Sequence, residues 1–95
     1  MAAYVIAEVE VTDPAGYEEY RKAVKATLQQ YGGKHIVRGG KVESLEGGWQ
    51  PSRIVVAEFE NAERAKAWWS SQEYAGQKSI RQRTANSKLI IVEGV

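Results

Sequence analysis

One carboxylate in this chain stands where its chemistry could be unusual. Glu58 falls in the segment Arg-Ile-Val-Val-Ala-Glu-Phe over residues 53–59, which has the alternation of a strand and is otherwise mostly apolar. A carboxylate among apolar side chains loses solvation, which raises its pKa and suits it to act as a base. The alternative is an ion pair with Lys41 or Arg38 on the neighbouring strand. We take Glu58 as a candidate catalytic residue.

His35 is the only histidine, so any site that needs two imidazoles is excluded. It could serve alone as a general base or as a haem ligand, and we include it among the candidate catalytic residues. The alternative is a partly exposed strand histidine without a catalytic role. A Ser-His-Asp arrangement finds no support, because the only aspartate, Asp13, has the position of a helix cap.

Three arginines carry the planar fork that binds a carboxylate through two parallel hydrogen bonds. Arg38 precedes Gly39-Gly40, where the backbone can approach a ligand closely, and it completes the candidate catalytic set. Arg81 is a candidate for substrate binding. For Arg53 the sequence favours a structural role, an ion pair with Glu46 across a hairpin.

Aromatic residues supply the remaining candidates for substrate binding. Trp68 and Trp69 are adjacent, so on a helix their side chains point about 100° apart, and one can lie in the core while the other lines a cleft. We assign Trp69, Tyr74 and Tyr4 to substrate binding, with ordinary packing as the alternative for each.

Composition excludes several classes of function. The chain has no cysteine, which removes disulfides, thiolate zinc sites and iron–sulfur clusters. Its net charge of +1 argues against nucleic acid or an anionic membrane as partner, and its glycines form no phosphate-binding motif. The N-terminus lacks the pattern of a signal peptide. We therefore predict one cytoplasmic domain over residues 1–95 with no metal and no cofactor.

The elements that must position these side chains alternate between strand and helix. Residues 3–11 alternate as a strand with one wholly apolar face. Asp13-Pro14 begins a helix, and Gly32-Gly33 supplies the residue of positive φ that ends it. Residues 34–38 then form a short strand, which a bulge or bend breaks at Gly39-Gly40, and the first arm of a hairpin continues over residues 41–46.

The second half of the chain repeats this alternation. Residues 53–59 form the returning arm of the hairpin, and Asn61 caps a second helix. Ser70 and Glu73 stand at the spacing of a capping box, which indicates that the helix restarts there and continues to about Thr84. The last strand is predicted over residues 88–93.

The resulting order is βαββαβ. The economical solution is the ferredoxin-like α+β fold, a four-stranded antiparallel sheet with the helices on one face and the first and third strands in the centre. The other face would then expose Tyr4, Ile6, Ile54 and Val56. Because monomers rarely leave large apolar patches in water, we predict a homodimer that packs through the helix-free face of its sheets.

Several segments together carry a resemblance to a known family: residues 32–40, Leu45-Glu46-Gly47, Trp49, residues 53–59, residues 68–74, Arg81 and Val92-Glu93-Gly94. The chain resembles the domain-of-unknown-function family numbered thirteen-thirty, in the dimeric α+β-barrel superfamily. The resemblance implies the ferredoxin-like fold and the sheet-on-sheet dimer. It implies no particular activity, because the family has no generally assigned reaction.

Three functions compete at this point. The first is a cofactor-independent enzyme that acts on a small organic molecule in a cleft between sheet and helices, by oxygenation, isomerisation or a similar proton transfer. The second is a non-catalytic dimerisation or ligand-binding module, which needs only the apolar face. The third, RNA binding, would need stacking aromatics on the central strands, and Phe59 falls on the helix-facing side.

Overall fold

Alternation along the first strand gives the sheet two different faces. The computed structural model describes residues 1–95, in which Val5, Ala7 and Val9 are buried while Tyr4 and Ile6 remain partly exposed. Seven elements follow along the chain: β1 (Ala3–Val11), α1 (Pro14–Gln30), β2 (Lys34–Arg38), β3 (Ile54–Phe59), α2 (Ala62–Trp69), α3 (Gln72–Thr84) and β4 (Ala85–Glu93).

The four strands form one antiparallel sheet in the order β2-β3-β1-β4. The predicted ferredoxin-like fold, with the first and third strands in the centre, is confirmed. Ile6 lies opposite Val56 and Ile90, and the helices pack on the face that bears Ala57 and Phe59. We call this the covered face and the other the open face.

The first arm of the hairpin differs from the prediction. Strand β2 ends at Arg38, and residues 39–53 form a loop rather than a continued strand over 41–46. A side-chain hydrogen bond links the loop to β1 instead: Trp49 Nε1 donates to Glu8 Oε2 at 3.1 Å. The only residue of positive φ at the predicted bend is Gly39, whose amide donates to the Ile54 carbonyl.

The irregularity in β2 lies between His35 and Val37 rather than at the glycines. His35 pairs with Ala57 and Arg38 pairs with Val55, although residues three apart in a regular strand face opposite sides. The extra residue, Ile36, shifts the alternation of side chains by one position. Both His35 and Arg38 therefore face the helices.

Side-chain caps begin all three helices. Asp13 and Asn61 accept hydrogen bonds from the amides of Gly16 and Arg64, as their residue types predict. Helix α3 is capped by Ser71, not Ser70, through a bond from the Tyr74 amide. Strand β4 begins at Ala85, directly after α3, three residues earlier than predicted.

The core lies between the helices and the covered face. Its largest fully buried side chains are Tyr74, Phe59 and Leu28. On the open face, by contrast, Ile90 is 57% exposed and Val92 is 41% exposed. No helix has the length and apolar character to cross a membrane.

Candidate functional site

A cleft opens between α1 and the covered face of the sheet. Its volume is about 40 Å³, which is room for a few waters or one small organic group. Eleven of the sixteen lining residues are hydrophobic. The lining consists of Val5, Ala7, Val9, Tyr17, Tyr20, Arg21, Val24, Leu28, His35, Arg38, Arg53, Val55, Ala57, Trp68, Arg81 and Leu89.

The polar part of this lining is cationic. It contains four arginines and a histidine but no acidic side chain. Arg21 forms an exposed ion pair with Glu18. The other three arginines form no ion pair: Arg38, Arg53 and Arg81. The cleft therefore presents unpaired guanidinium groups beside apolar walls.

Arg53 comes from the end of the loop and points into the cleft. Its Cζ atom lies 5.8 Å from the centre of the Tyr17 ring, at the distance of a cation–π contact. Its Nε atom is buried without a hydrogen-bond partner. The predicted ion pair with Glu46 is absent, because Glu46 lies in the loop and no strand places it opposite Arg53.

His35 is half-buried at the side of the cleft. Burial first, and then the positive charges of Arg38, Lys25 and Arg53, together lower its pKa to about 4. The imidazole is therefore neutral at pH 7 and can accept a proton or a hydrogen bond.

Arg38 joins β2 to α1 across the opening of the cleft. Its Nη2 donates a hydrogen bond to the main-chain carbonyl of Arg21. A second, more open groove lies outside this point, and the two cavities share His35 and Arg38. The outer groove adds Lys25 and Lys34 and again has no acidic lining residue. The approach to the cleft is therefore positively charged.

Arg81 belongs to a buried hydrogen-bond network. It is 4% exposed, and its Nε and Nη1 donate to Tyr74 Oη at 3.2 Å and Ser87 Oγ at 2.5 Å. The Tyr74 hydroxyl lies 2.9 Å from that of Tyr20, and burial raises the pKa of Tyr20 well above its ordinary value. The network fixes Arg81 in place without neutralising it.

Aromatic rings form the inner wall of the cleft. The Trp68 ring lies 4.0 Å from that of Tyr74, and its Nε1 donates to Thr27 Oγ1 at 3.0 Å. Trp69 lies outside the cleft, where its 42% exposed ring contacts Lys78 Nζ at 3.8 Å. Of the adjacent tryptophans, the buried one therefore lines the cleft, and Trp69 does not.

Two candidates from the sequence lie on the open face. Glu58 and Tyr4 are directly opposite each other on β3 and β1, across the sheet from the cleft. Glu58 pairs with Lys34 Nζ at 3.5 Å, not with Lys41 or Arg38, because Arg38 faces the helices. The structure therefore separates Glu58 from His35 and Arg38.

The geometry brings together His35, Arg38 and Arg81 among the candidates, with Tyr74 just behind Arg81. It adds Arg53 and Tyr17, which sequence reasoning did not place in a site. The sequence offered one signal for Arg53, its planar guanidinium, but its place in the hairpin favoured a cross-strand ion pair instead.

Comparison with solved structures supports the fold. A protein of unknown function from Rhodopseudomonas palustris superposes with a TM-score of 0.78 at 17% identity, over 99% of this chain and 82% of that one. SnoaB, a cofactor-independent oxygenase from Streptomyces nogalater, gives 0.73 at 11% identity, over 99% and 93%. A dimeric protein of unknown function and ferredoxin-like fold from Bacteroides fragilis gives 0.58 at 11% identity, over 98% and 96%.

Comparison by sequence gives a more direct result. No curated protein matches the chain. One family model, described as Domain of unknown function (DUF1330), matches residues 2–95, which is nearly the whole length. The chain therefore belongs to the DUF1330 family.

Proposed function

We propose that the protein is a cofactor-independent enzyme that moves a proton on a small organic molecule held in the cleft. The observation that carries this proposal is that a neutral imidazole and unpaired guanidinium groups line the same mostly apolar cavity. Proton transfer from carbon needs both a base and stabilisation of the negative charge that remains.

His35 is the base in this proposal. Because its pKa is about 4, it is unprotonated at pH 7 and accepts a proton only when the resulting anion is stabilised strongly. Arg38 and Arg53 supply that stabilisation, since both line the cleft with His35 and neither has an acidic partner. Arg81 and Tyr74 hold the inner end of the cleft.

Likeness to SnoaB supports the class of reaction, because that protein is a cofactor-independent oxygenase with the same fold. A carbanion stabilised as an enolate or a related anion is common to isomerisation and to cofactor-independent oxygenation. In the first case the proton returns to a different atom, and in the second the anion reacts with dioxygen.

Nitroethane tests the proposed proton transfer. It is small, uncharged and acidic at carbon, and removal of its proton places negative charge on two oxygen atoms that a guanidinium can bind. We expect wild-type protein in D₂O at pH 7 to accelerate exchange of the C1 protons, measured by NMR. His35→Gln should reduce exchange to the rate without protein, and Arg53→Gln should reduce it in part.

A matched control separates the cleft from the surface. Glu58→Gln removes a candidate carboxylate on the open face and should leave the exchange rate unchanged. Equal exchange by wild-type and His35→Gln protein would contradict the proposal, because the sole imidazole would then take no part.

The alternative function is a non-catalytic ligand-binding or dimerisation module. The exposed apolar residues of the open face support dimerisation. Each of these residues is at least 40% exposed: Ile36, Val37, Ile90 and Val92. We propose that two copies pack open face to open face, as the helix-free surface of such a sheet favours. Binding of a ligand in the cleft without any proton exchange would favour this alternative.

A further inference from the structure

Positive charge around the cleft is not balanced locally. The chain as a whole has 13 basic and 12 acidic residues, so acidic side chains are not scarce. None of them lines the cleft, and none pairs with Arg38, Arg53 or Arg81. The imbalance is therefore a property of this site and not of the composition.

Burial makes this imbalance costly for the free protein. Arg81 is 4% exposed, and both of its hydrogen-bond acceptors are neutral hydroxyls. Arg53 keeps its Nε atom buried with no acceptor at all. Buried cations are ordinarily paired with an anion, and buried donors ordinarily have acceptors. An anionic ligand would supply what is missing here, a counter-charge for Arg81 and a hydrogen-bond acceptor for Arg53.

We propose that the ligand of the cleft is a small carboxylic acid with an apolar body, bound as the carboxylate. This inference rests on the proposed function, because it names the substrate class of the same cleft. The carboxylate lies against Arg53 and Arg38, whose planar forks match its two oxygen atoms. The apolar body contacts the aromatic and aliphatic wall that includes Trp68 and Leu28.

Size and shape select a carboxylate over larger anions. The volume of about 40 Å³ has no room for a nucleotide, and the predominantly hydrophobic lining does not suit a sugar phosphate. The basic outer groove that shares His35 and Arg38 would draw an anion toward the opening.

Propionate is the probe, because its short apolar body suits the small cleft, and His35 is the reporter. Because the chain has one histidine, its imidazole gives a single set of NMR signals, which can be followed as propionate is added. We expect saturable shifts and a rise in the pKa of His35, since a bound carboxylate offsets the charges of Arg38 and Arg53. Propionamide, which has the same shape without the charge, should bind at least about tenfold more weakly.

Two variants and one control complete the experiment. Arg53→Gln and Arg38→Gln should each weaken propionate binding by about 10- to 100-fold, so either variant suffices if the other fails to fold. Arg83→Gln removes one positive charge from an exposed position of α3 and should leave binding unchanged. Equal affinity for propionate and propionamide, or tighter binding of inorganic phosphate than of propionate, would overturn the proposal.

The two proposals fail separately. Propionate binding without nitroethane exchange would support the carboxylate site and contradict the proposed enzyme activity. Nitroethane exchange that depends on His35, without preference for propionate over propionamide, would support the enzyme activity and contradict the carboxylate class.

Discussion

The guanidinium of Arg53 occupies the space in which a side chain at residue 39 would lie. A Cβ atom built on Gly39 would be 2.5 Å from Arg53 Cζ, far inside van der Waals contact. Gly39 also has a φ of +73°, which disfavours any residue with a Cβ. One glycine thus allows both the turn that ends β2 and the entry of Arg53 into the cleft.

Gly39→Ala is therefore expected to act on stability and on the cleft together. The left-handed backbone costs about 1–2 kcal/mol for alanine, and the new methyl group displaces the Arg53 guanidinium. Gly32→Ala is the matched control, because its φ is +75° but nothing lies within 4 Å of its Cβ. Both variants should unfold at lower urea concentration, and only Gly39→Ala should weaken propionate binding. Unchanged binding in Gly39→Ala would mean that Arg53 does not hold the ligand.

Arg53 and Arg81 are expected to respond in opposite directions to replacement by methionine. Arg53→Met removes a cation with a buried, unpartnered Nε and should raise the free energy of unfolding by about 1 kcal/mol. Arg81→Met breaks two buried hydrogen bonds, to Tyr74 and Ser87, and should lower it by about 2 kcal/mol. Urea denaturation followed by tryptophan fluorescence measures both. A large loss of stability in Arg53→Met would show that its packing on Tyr17 outweighs the unpaired charge.

The free energy of unfolding is expected to decrease as the pH is lowered, because of His35. Its pKa is about 4 in the folded protein and about 6.5 in an unfolded chain, so the unfolded state binds the proton first as pH falls. The protein should lose stability between about pH 6.5 and pH 4, by about 1–2 kcal/mol once solvent screening of the half-buried ring is considered.

His35→Gln isolates this effect. The carboxylates whose pKa is lowered, Glu18 and Glu73, lose their contribution only below about pH 4.5, so the range from pH 6.5 to 5 belongs to the histidine. The variant should show a flat unfolding free energy over that range. The same slope in wild-type and variant protein would assign the loss to another group.

The open face is expected to control assembly. Ile90→Lys places a charge among Ile6, Val56 and Val92 and should convert a dimer into a folded species of 10.6 kDa in sedimentation. Ala75→Lys, an exposed position of α3, is the control and should remain dimeric. A wild-type protein that sediments as a monomer at micromolar concentration would contradict the proposed dimer.

Local patterns in the sequence were sufficient for most of the fold. The bounds of β1 and β2 and the caps of α1 and α2 follow from alternation and from side chains that satisfy free amides, which act over a few residues. The register of β1 and β3 also follows, because a shift by one residue would expose Val5, Ala7 and Val9.

The length of the hairpin arm was not predictable in the same way. Residues 41–46 alternate Val42 and Ser44 with longer side chains, but no strand pairs with them, because β3 starts only at Ile54. Pairing depends on where the partner strand lies, and a local pattern does not contain that information.

What the sequence by itself determined is which face of each regular element is apolar, and hence the layers of the fold. What only the tertiary structure decided is which polar residues share the cleft. The extra residue at Ile36 turns His35 and Arg38 to the same side, while Glu58 in an unbroken strand keeps its place on the open face. The physical reason is that strand phase is local, whereas a bulge and an arginine entering beside Gly39 depend on pairing between segments far apart in the chain.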